Sequence, residues 1–522
     1  MTEDAPTPYD QVIYPGNPVP QSHPDRLATL AALYGMRPAP VPHCRVLELG
    51  CGIGGNLTAL ACQWPDSAFV GIDLSARSIE IGQRNVAELE LRNLTLRHYS
   101  IMDVTPDFGT FDYIIAHGVY SWVPAAVREQ MLGVFKQNLA PQGVAYVSYN
   151  AYPGSHFRNA AREMMLYHVR AMDDPQQKID QGRALIKILS ELIPPEEPYG
   201  QILREQYERL RKMADEVVYH DDLDPDATPF LFHQVVEGAE RHGLQYLSEA
   251  NFAQSHRGVM PDYITRLLRQ FPVSAAVERE QYLDFFASRS FRQTLLCHGG
   301  IALRTTIEAD CIKDYYLAGY IVPEAGAVEP LAGGVAKFKN QRGVALSSSH
   351  PLTKAALLEL GERWPQAVRF PDLLQAAVHR LGPAADATGP TFAAEVDTLT
   401  AALFRAFSTD QIELHLYPPR LTTAVSERPQ ASLLARKLAE IGPLITNLRH
   451  TRVTIEDEVA RRFLRLVDGT RDIDQLVFDL KRAVRPASSE DDADAGRPAP
   501  EVTRASVERN LKLLGSLGLL EA

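Results

Sequence analysis

Residues 46–56, VLELGCGIGGN, constrain this chain more than any other stretch. The short apolar run CRVLELG ends in a cluster of glycines, and the helix-like NLTALACQW follows. Glycine lets a backbone turn sharply and lets a ligand approach it closely. A buried strand that passes through such a turn into a helix is the opening unit of a doubly wound sheet. Gly50-x-Gly52-x-x-Gly55 fits the dinucleotide fingerprint, and Gly50-x-Gly52-x-Gly54 lies in the same letters, so the glycines alone do not select a ligand. Glu48 does. A dinucleotide brings a pyrophosphate to the helix N-terminus, and a carboxylate two residues before the turn would repel it. That carboxylate suits a cationic ligand without phosphate. S-adenosylmethionine, with a sulfonium and an ammonium, is such a ligand.

The letters that follow alternate strand and helix. AFVGIDLS (68–75) reads as a second strand, SIEIGQRNVAELEL (78–91) as an amphipathic helix, and LTLRHYSIMDV (94–104) contains a third strand. FDYIIAHGVYSWV (111–123) starts as a fourth strand, VREQMLGVFKQNLA (127–140) is a helix expected to end at Pro141 and Gly143, and GVAYVSYN (143–150) is a fifth strand. This predicts an α/β fold with a Rossmann-like parallel sheet and a ligand at the carboxyl ends of the strands. Asp73 ends the second strand, where a carboxylate accepts from both ribose hydroxyls. Asp103 follows the third, suited to an adenine amine. Either acid alone reads equally as an ordinary strand-end turn residue. With Glu48 and the glycines, the acids read together as one ligand site.

From Ala160 the pattern turns helical, in AAREMMLYHVRAM, GRALIKILSELI and ILREQYERLRKMADEVVYHDDL, with PPEEP (194–198) as a breaker. The expected domains are a cofactor-binding domain with an N-terminal arm over 1–155, and a helical middle region over 156–297. The last strands of the sheet are expected near 243–250 and 291–297. A first winged-helix-like module follows over 298–385, and a C-terminal one over 386–522 with a flexible loop at 488–501. The net charge is -12 and no basic stripe is visible, which argues against nucleic acid as the main partner. The five cysteines are dispersed without a Cys-x-x-Cys pair, so no metal is expected and a reducing compartment fits. No signal peptide or membrane-spanning run is read, and the expected location is the cytoplasm.

VLELGCGIGG, FVGIDLS and Asp103 resemble the cofactor motifs of class I S-adenosylmethionine-dependent methyltransferases. HPDRLATLAALYG, AHGVYSWVP, YVSYNAYPG, GLQYLSEANFA and FRQTLLC are similar to one bacterial branch, which carries a methyltransferase regulatory domain after the catalytic sheet. That branch includes rickettsial lysine methyltransferases acting on outer-membrane proteins. ITNLRHTRV and LVDGTRD resemble the winged-helix domain that ends them. The resemblance implies S-adenosylmethionine as cofactor, a protein lysine as acceptor and a possible homodimer. The candidate cofactor-binding residues are Glu48, Gly50, Cys51, Gly52, Gly54, Asn56, Asp73, Leu74, Ser75, Met102, Asp103 and His117.

Methyl transfer needs a nucleophile aligned with the methyl group and shielded from water. The acceptor-side candidates therefore follow strands four and five: His117, Tyr120, Asn150 and Tyr152, with Trp122 as a further wall. Trp122 reads alternatively as packing under the next helix, with Val119 anchoring the loop, and Asn150 as a cap on the helix after it. Asn150-x-x-Pro153 is similar to the Asn-Pro-Pro-Tyr turn of amine-methylating enzymes, but that turn follows strand four and this one follows strand five. Ser155 stands where the branch carries a bulky aromatic. Tyr9, Tyr14 and His23, in a proline-rich arm, are candidates to cap the site or are a surface arm. Two alternatives stay open: a small-molecule methyltransferase, and a cofactor-binding regulatory scaffold without turnover.

Overall fold

The computed structural model describes residues 7–255, 262–268, 270–272, 275–382, 389–484 and 502–522. The loop expected at 488–501 lies outside them. The described residues form two compact units, one from 7–17 and 30–306, the other from 18–29 and 307–522.

The first unit is built on a seven-stranded sheet. Its strands are β1 (Arg45–Leu49), β2 (Ala68–Asp73), β3 (Leu94–His98), β4 (Phe111–Ala116), β5 (Leu139–Asn150), β6 (Leu244–Glu249) and β7 (Phe291–His298). Their order is β3-β2-β1-β4-β5-β7-β6. β1 to β5 run parallel, and β7 is antiparallel to both β5 and β6. The chain crosses sides between β1 and β4, which opens a crevice at their carboxyl ends. Leu47, Leu49, Ile114 and Val147 of the strands are buried with Leu132 and Phe135 of the helix Ala125–Asn138. Strands covered on both faces read as mostly apolar runs, as FDYIIA of β4 does.

The fifth strand is longer than its letters suggested. The preceding helix ends at Asn138, and β5 begins at Leu139 with a shift in register between Phe111 and Tyr113 of β4. Pro141 and Gly143 thus lie in an irregular start of the strand, where proline is tolerated.

Helices Ser155–Val169, Pro175–Leu192, Pro198–Leu210 and Asp215–Asp222 stand between β5 and β6. The expected single long helix over ILREQYERLRKMADEVVYHDDL is in fact two. The break falls after Leu210, and Asp215 and Glu216 open the second helix, where acids favour an N-terminus. Met165, Ile179, Ile186, Leu210 and Val218 form the core of this region. The buried Asp222 carboxylate is held by Arg158 at 3.0 Å and Arg209 at 2.6 Å. On β7, the buried Arg292 guanidinium is shared by Glu249 (2.6 Å), Asp284 (2.8 Å) and Glu280 (3.1 Å). A buried charge persists only when paired in this way.

In the second unit, Tyr316–Ala318 pairs with both Val368–Arg369 and Glu413–His415. This sheet therefore spans the boundary expected at 385/386. Asp25 is tied to the same strand: it accepts from Leu416 N at 3.0 Å and Tyr417 N at 2.6 Å, and pairs with His415 Nδ1 at 2.7 Å. The C-terminal part packs helices Leu433–Ile441, Glu458–Leu466, Ile473–Val484 and Arg504–Ser516 with the hairpin Leu444–Thr446/Arg452–Thr454. Phe463, Leu464, Leu476 and Leu511 fill its core. Among the described residues, no helix is long and apolar enough to cross a membrane.

Candidate functional site

The floor of the site lies at the carboxyl ends of β1, β2 and β3. Glu48 is 4% exposed, and its Oε1 accepts from Asn56 Nδ2 at 3.0 Å. Its Oε2 is buried without a hydrogen-bond partner among the described residues. Burial pushes the carboxyl up to about 8, opposed by the Asn56 bond and reinforced by Asp73. Gly50, Gly52 and Gly54 all adopt positive φ, at 73°, 54° and 72°. A Cβ on Gly50 would lie 2.5 Å from Val119 Cγ2, so this position has no room for a side chain. Asp73 ties two turns together, with Oδ2 accepting from Gly52 N and Oδ1 from Ser75 N, both at 2.8 Å. Burial raises its pKa against these two bonds. Each oxygen keeps a further lone pair for a ribose hydroxyl.

Leu74 and Met102 are 40% and 48% exposed at the ends of β2 and β3, an apolar pair suited to the faces of a base. Asp103 is exposed in the short turn Ile101–Asp103. Cys51 is buried and its thiol is pushed far up by burial, so its backbone is the part left to a ligand. Ser75 accepts from Ser78 N and donates to Asp10 Oδ1 at 2.7 Å, so its hydroxyl is already engaged. These residues fit S-adenosylmethionine. The unpartnered Glu48 oxygen suits the ammonium, Asp73 the ribose, and the apolar pair the adenine.

A roof closes over this floor. Asp10 accepts from Thr7 N, Ser75 Oγ and Arg77 N, and Arg77 Nη1 donates back to the Asp10 carbonyl at 2.7 Å. Gly16 lies against Gly55, where an added Cβ would come 2.3 Å from the Gly16 carbonyl oxygen. Between these anchors, Tyr9 stacks on His220 with centroids 4.2 Å apart and planes within 5°, and Tyr14 tilts against the same ring at 5.7 Å. His220 Nε2 donates to the Val12 carbonyl at 2.7 Å. Burial, then the Asp221 carboxylate, raise the Tyr14 phenol. Burial, then the carboxylates of Asp224, Asp221 and Asp73, raise the Tyr9 phenol. The segment then continues over the other strand ends. Thr228 N donates to Ser121 O at 2.8 Å, and Phe230 N to Asn150 O at 2.9 Å.

Of the acceptor-side candidates, His117 ends β4 with Nδ1 2.9 Å from Tyr146 Oη and its ring edge-on to Phe291. Burial lowers its pKa to about 4. Tyr120 is corrected from channel wall to core: it is 5% exposed and packs with Tyr149, Phe230, Leu132 and Val235. Trp122 is half-buried with the Arg162 guanidinium over its ring at 5.6 Å. Asn150 is half-buried, and it does not cap the following helix, whose cap position is Gly154. Tyr152 stacks on His156 at 4.2 Å. Ser155 is buried and donates to Ser290 O at 3.0 Å. His23 belongs to the second unit, where its Nδ1 accepts from Asp25 N at 3.1 Å and its ring meets His450 edge-on.

Sequence reasoning missed Asp10, His220, Asp221 and Asp224. The Thr7-x-x-Asp10 spacing, a capping-box pattern, was the available signal for Asp10. The aromatic-acid run YHDDLD (219–224) was the signal for the others.

Comparison with known proteins places these features in a family. Residues 46–143 match a methyltransferase domain, 214–298 a predicted methyltransferase regulatory domain, and 427–513 the C-terminal winged helix domain of PKMT. An uncharacterized protein of Rickettsia prowazekii (strain Madrid E), RP789, is 35% identical over 380 residues, 72% of this chain and 68% of its own length. A second, RP028, is 36% identical over 240 residues, 46% of this chain and 96% of its own. The structure of PKMT2 from Rickettsia typhi in complex with AdoHcy is 28% identical, with a TM-score of 0.86 over 97% of this chain and 99% of that one. The chain belongs to the class I S-adenosylmethionine-dependent methyltransferases that carry a methyltransferase regulatory domain and a PKMT-type winged helix domain.

Proposed function

We propose that this methyltransferase acts on lysine side chains of proteins. The observation that carries the reading is the roof. Tyr9, Tyr14 and His220 stack above the cofactor floor, and Asp221 and Asp224 lie within electrostatic reach of the Tyr9 hydroxyl. Carboxylates behind aromatic rings attract an ammonium group, and the rings strip water from it. A cationic amine is therefore favoured over a carboxylate or a neutral hydroxyl. The chain-long likeness to PKMT2 supports the same reading.

S-adenosylmethionine, when bound, supplies an electrophilic methyl group. This chain's residues would do the rest. Glu48, the glycine turn and Asp73 hold the cofactor, with Leu74, Met102 and Asp103 at its base. His117, Asn150 and Tyr152 flank the acceptor. The same reading has the enzyme working in the cytoplasm on a protein partner, without nucleic acid.

Incubation of the purified chain with methyl-labelled cofactor and fractionated lysate tests it. Label in protein bands, found on lysine by tandem mass spectrometry, is expected. Label only in small molecules would overturn the lysine reading while leaving the cofactor site intact.

A further inference from the structure

The hydrogen bonds behind His117 are determined by counting donors. Its Nδ1 faces two hydroxyls, Tyr146 Oη at 2.9 Å and Ser148 Oγ at 3.3 Å. Each hydroxyl oxygen already accepts an N–H: Gln293 Nε2 donates to Tyr146 at 2.9 Å, and Gly118 N donates to Ser148 at 2.8 Å. Tyr146 is fully buried, as is Ser148. If Nδ1 accepts, its single lone pair takes a hydroxyl proton from Tyr146 or Ser148. If Nδ1 carried a proton, one hydroxyl proton would have no acceptor among these groups, and a buried unmade bond costs more than a formed one returns. The proton of the neutral ring therefore belongs on Nε2.

The position of His117 gives that proton a use. Ile115 on β4 is the register partner of Glu48 on β1. Two residues later, His117 flanks the crevice between these strands, and Val119 packs on Gly50 of the glycine turn. Glu48 offers the crevice an acceptor for the cofactor's ammonium. The other charged group on the same methionine moiety is a carboxylate, which needs a donor.

We propose that Tyr146, Ser148 and Gln293 are positioning residues that hold His117 with its proton on Nε2, as a donor to the carboxylate of the bound cofactor. Gln293 lies on β7, inside the 214–298 region matched by the regulatory domain, and its backbone N donates to Glu249 Oε2 at 3.1 Å. That region thus contributes to the cofactor site through one hydrogen-bonded chain. The inference concerns the cofactor alone and stands or falls independently of the lysine reading.

Long-range proton–nitrogen spectra of the full chain labelled with 15N-histidine test it, with His117 assigned by loss of its signals in His117→Gln. The wild type is expected to show the neutral Nε2–H form from pH 5.5 to 8.5, and S-adenosylhomocysteine should shift its Nε2 resonance. Tyr146→Phe alone should keep the tautomer, because Ser148 still donates. Tyr146→Phe with Ser148→Ala should mix the two tautomers and weaken S-adenosylhomocysteine binding at least about tenfold, roughly one lost hydrogen bond to a charged group. An Nδ1–H ring in the wild type, or a folded double variant with unchanged affinity, would overturn the proposal. If the double variant does not fold, the wild type decides: a His117 Nε2 signal unmoved by the ligand overturns it equally.

Discussion

At the scale of single residues, the site is written in carboxylates held in unlike surroundings. Glu48 is buried with one oxygen unpartnered, and burial raises its carboxyl to about 8. At pH 7 the group is therefore mostly protonated in the free protein. A cationic ligand beside it favours the ionised form, so binding must release a proton. Calorimetry of S-adenosylmethionine binding at pH 7, repeated in buffers of different ionisation enthalpy, should report release of about one proton. In Glu48→Gln the release should vanish and affinity should fall. Equal proton release in both proteins would remove Glu48 from the ammonium site. The strand-end placement of Glu48 and Asp73 was legible in the sequence because it depends only on where β1 and β2 end. Tyr120 was misread for the opposite reason: its burial depends on Phe230 and Val235, more than a hundred residues away in the chain. Nothing in its local letters separates a channel wall from a core ring.

At the scale of elements, the arm over residues 7–17 decides how open the cofactor floor is. Asp10 ties it to Ser75 and Arg77 at the start of the helix Ala76–Glu88. Asp10→Ala should loosen the arm without unfolding the sheet. Release of bound S-adenosylhomocysteine, followed by stopped flow, should quicken about tenfold, while unfolding stability falls by only about 1 kcal/mol, the usual cost of a lost cap. An unchanged release rate would mean that the arm is only a surface feature. The alternating strands and helices of the sheet were legible because their period is local. The docking of the arm was not. Tyr219 reaches Gln11 across 208 residues of chain, and no periodicity reports a contact of that span. The break between Leu210 and Asp215 was hidden for a related reason, since both helices keep the same helical spacing.

At the scale of the whole molecule, one chain combines a doubly wound sheet, an inserted set of helices with its own core, and a second unit whose C-terminal part has another. The sheet's strand order places Glu48, the glycine turn and Asp73 beside the crevice, which is the reason one fold serves many acceptors with one cofactor. The second unit's edges were less legible. The pairing of Glu413–His415 with Tyr316–Ala318 joins short strands nearly a hundred residues apart, each only 3 residues long. Titration of the full chain with S-adenosylmethionine by calorimetry tests the cofactor floor most directly. The wild type should bind one equivalent. Asp73→Ala, with its unfolding midpoint checked, should bind about a hundredfold more weakly, the loss expected from two hydrogen bonds to a charged group. A wild type that does not bind, or a folded Asp73→Ala that binds as tightly as the wild type, would contradict it.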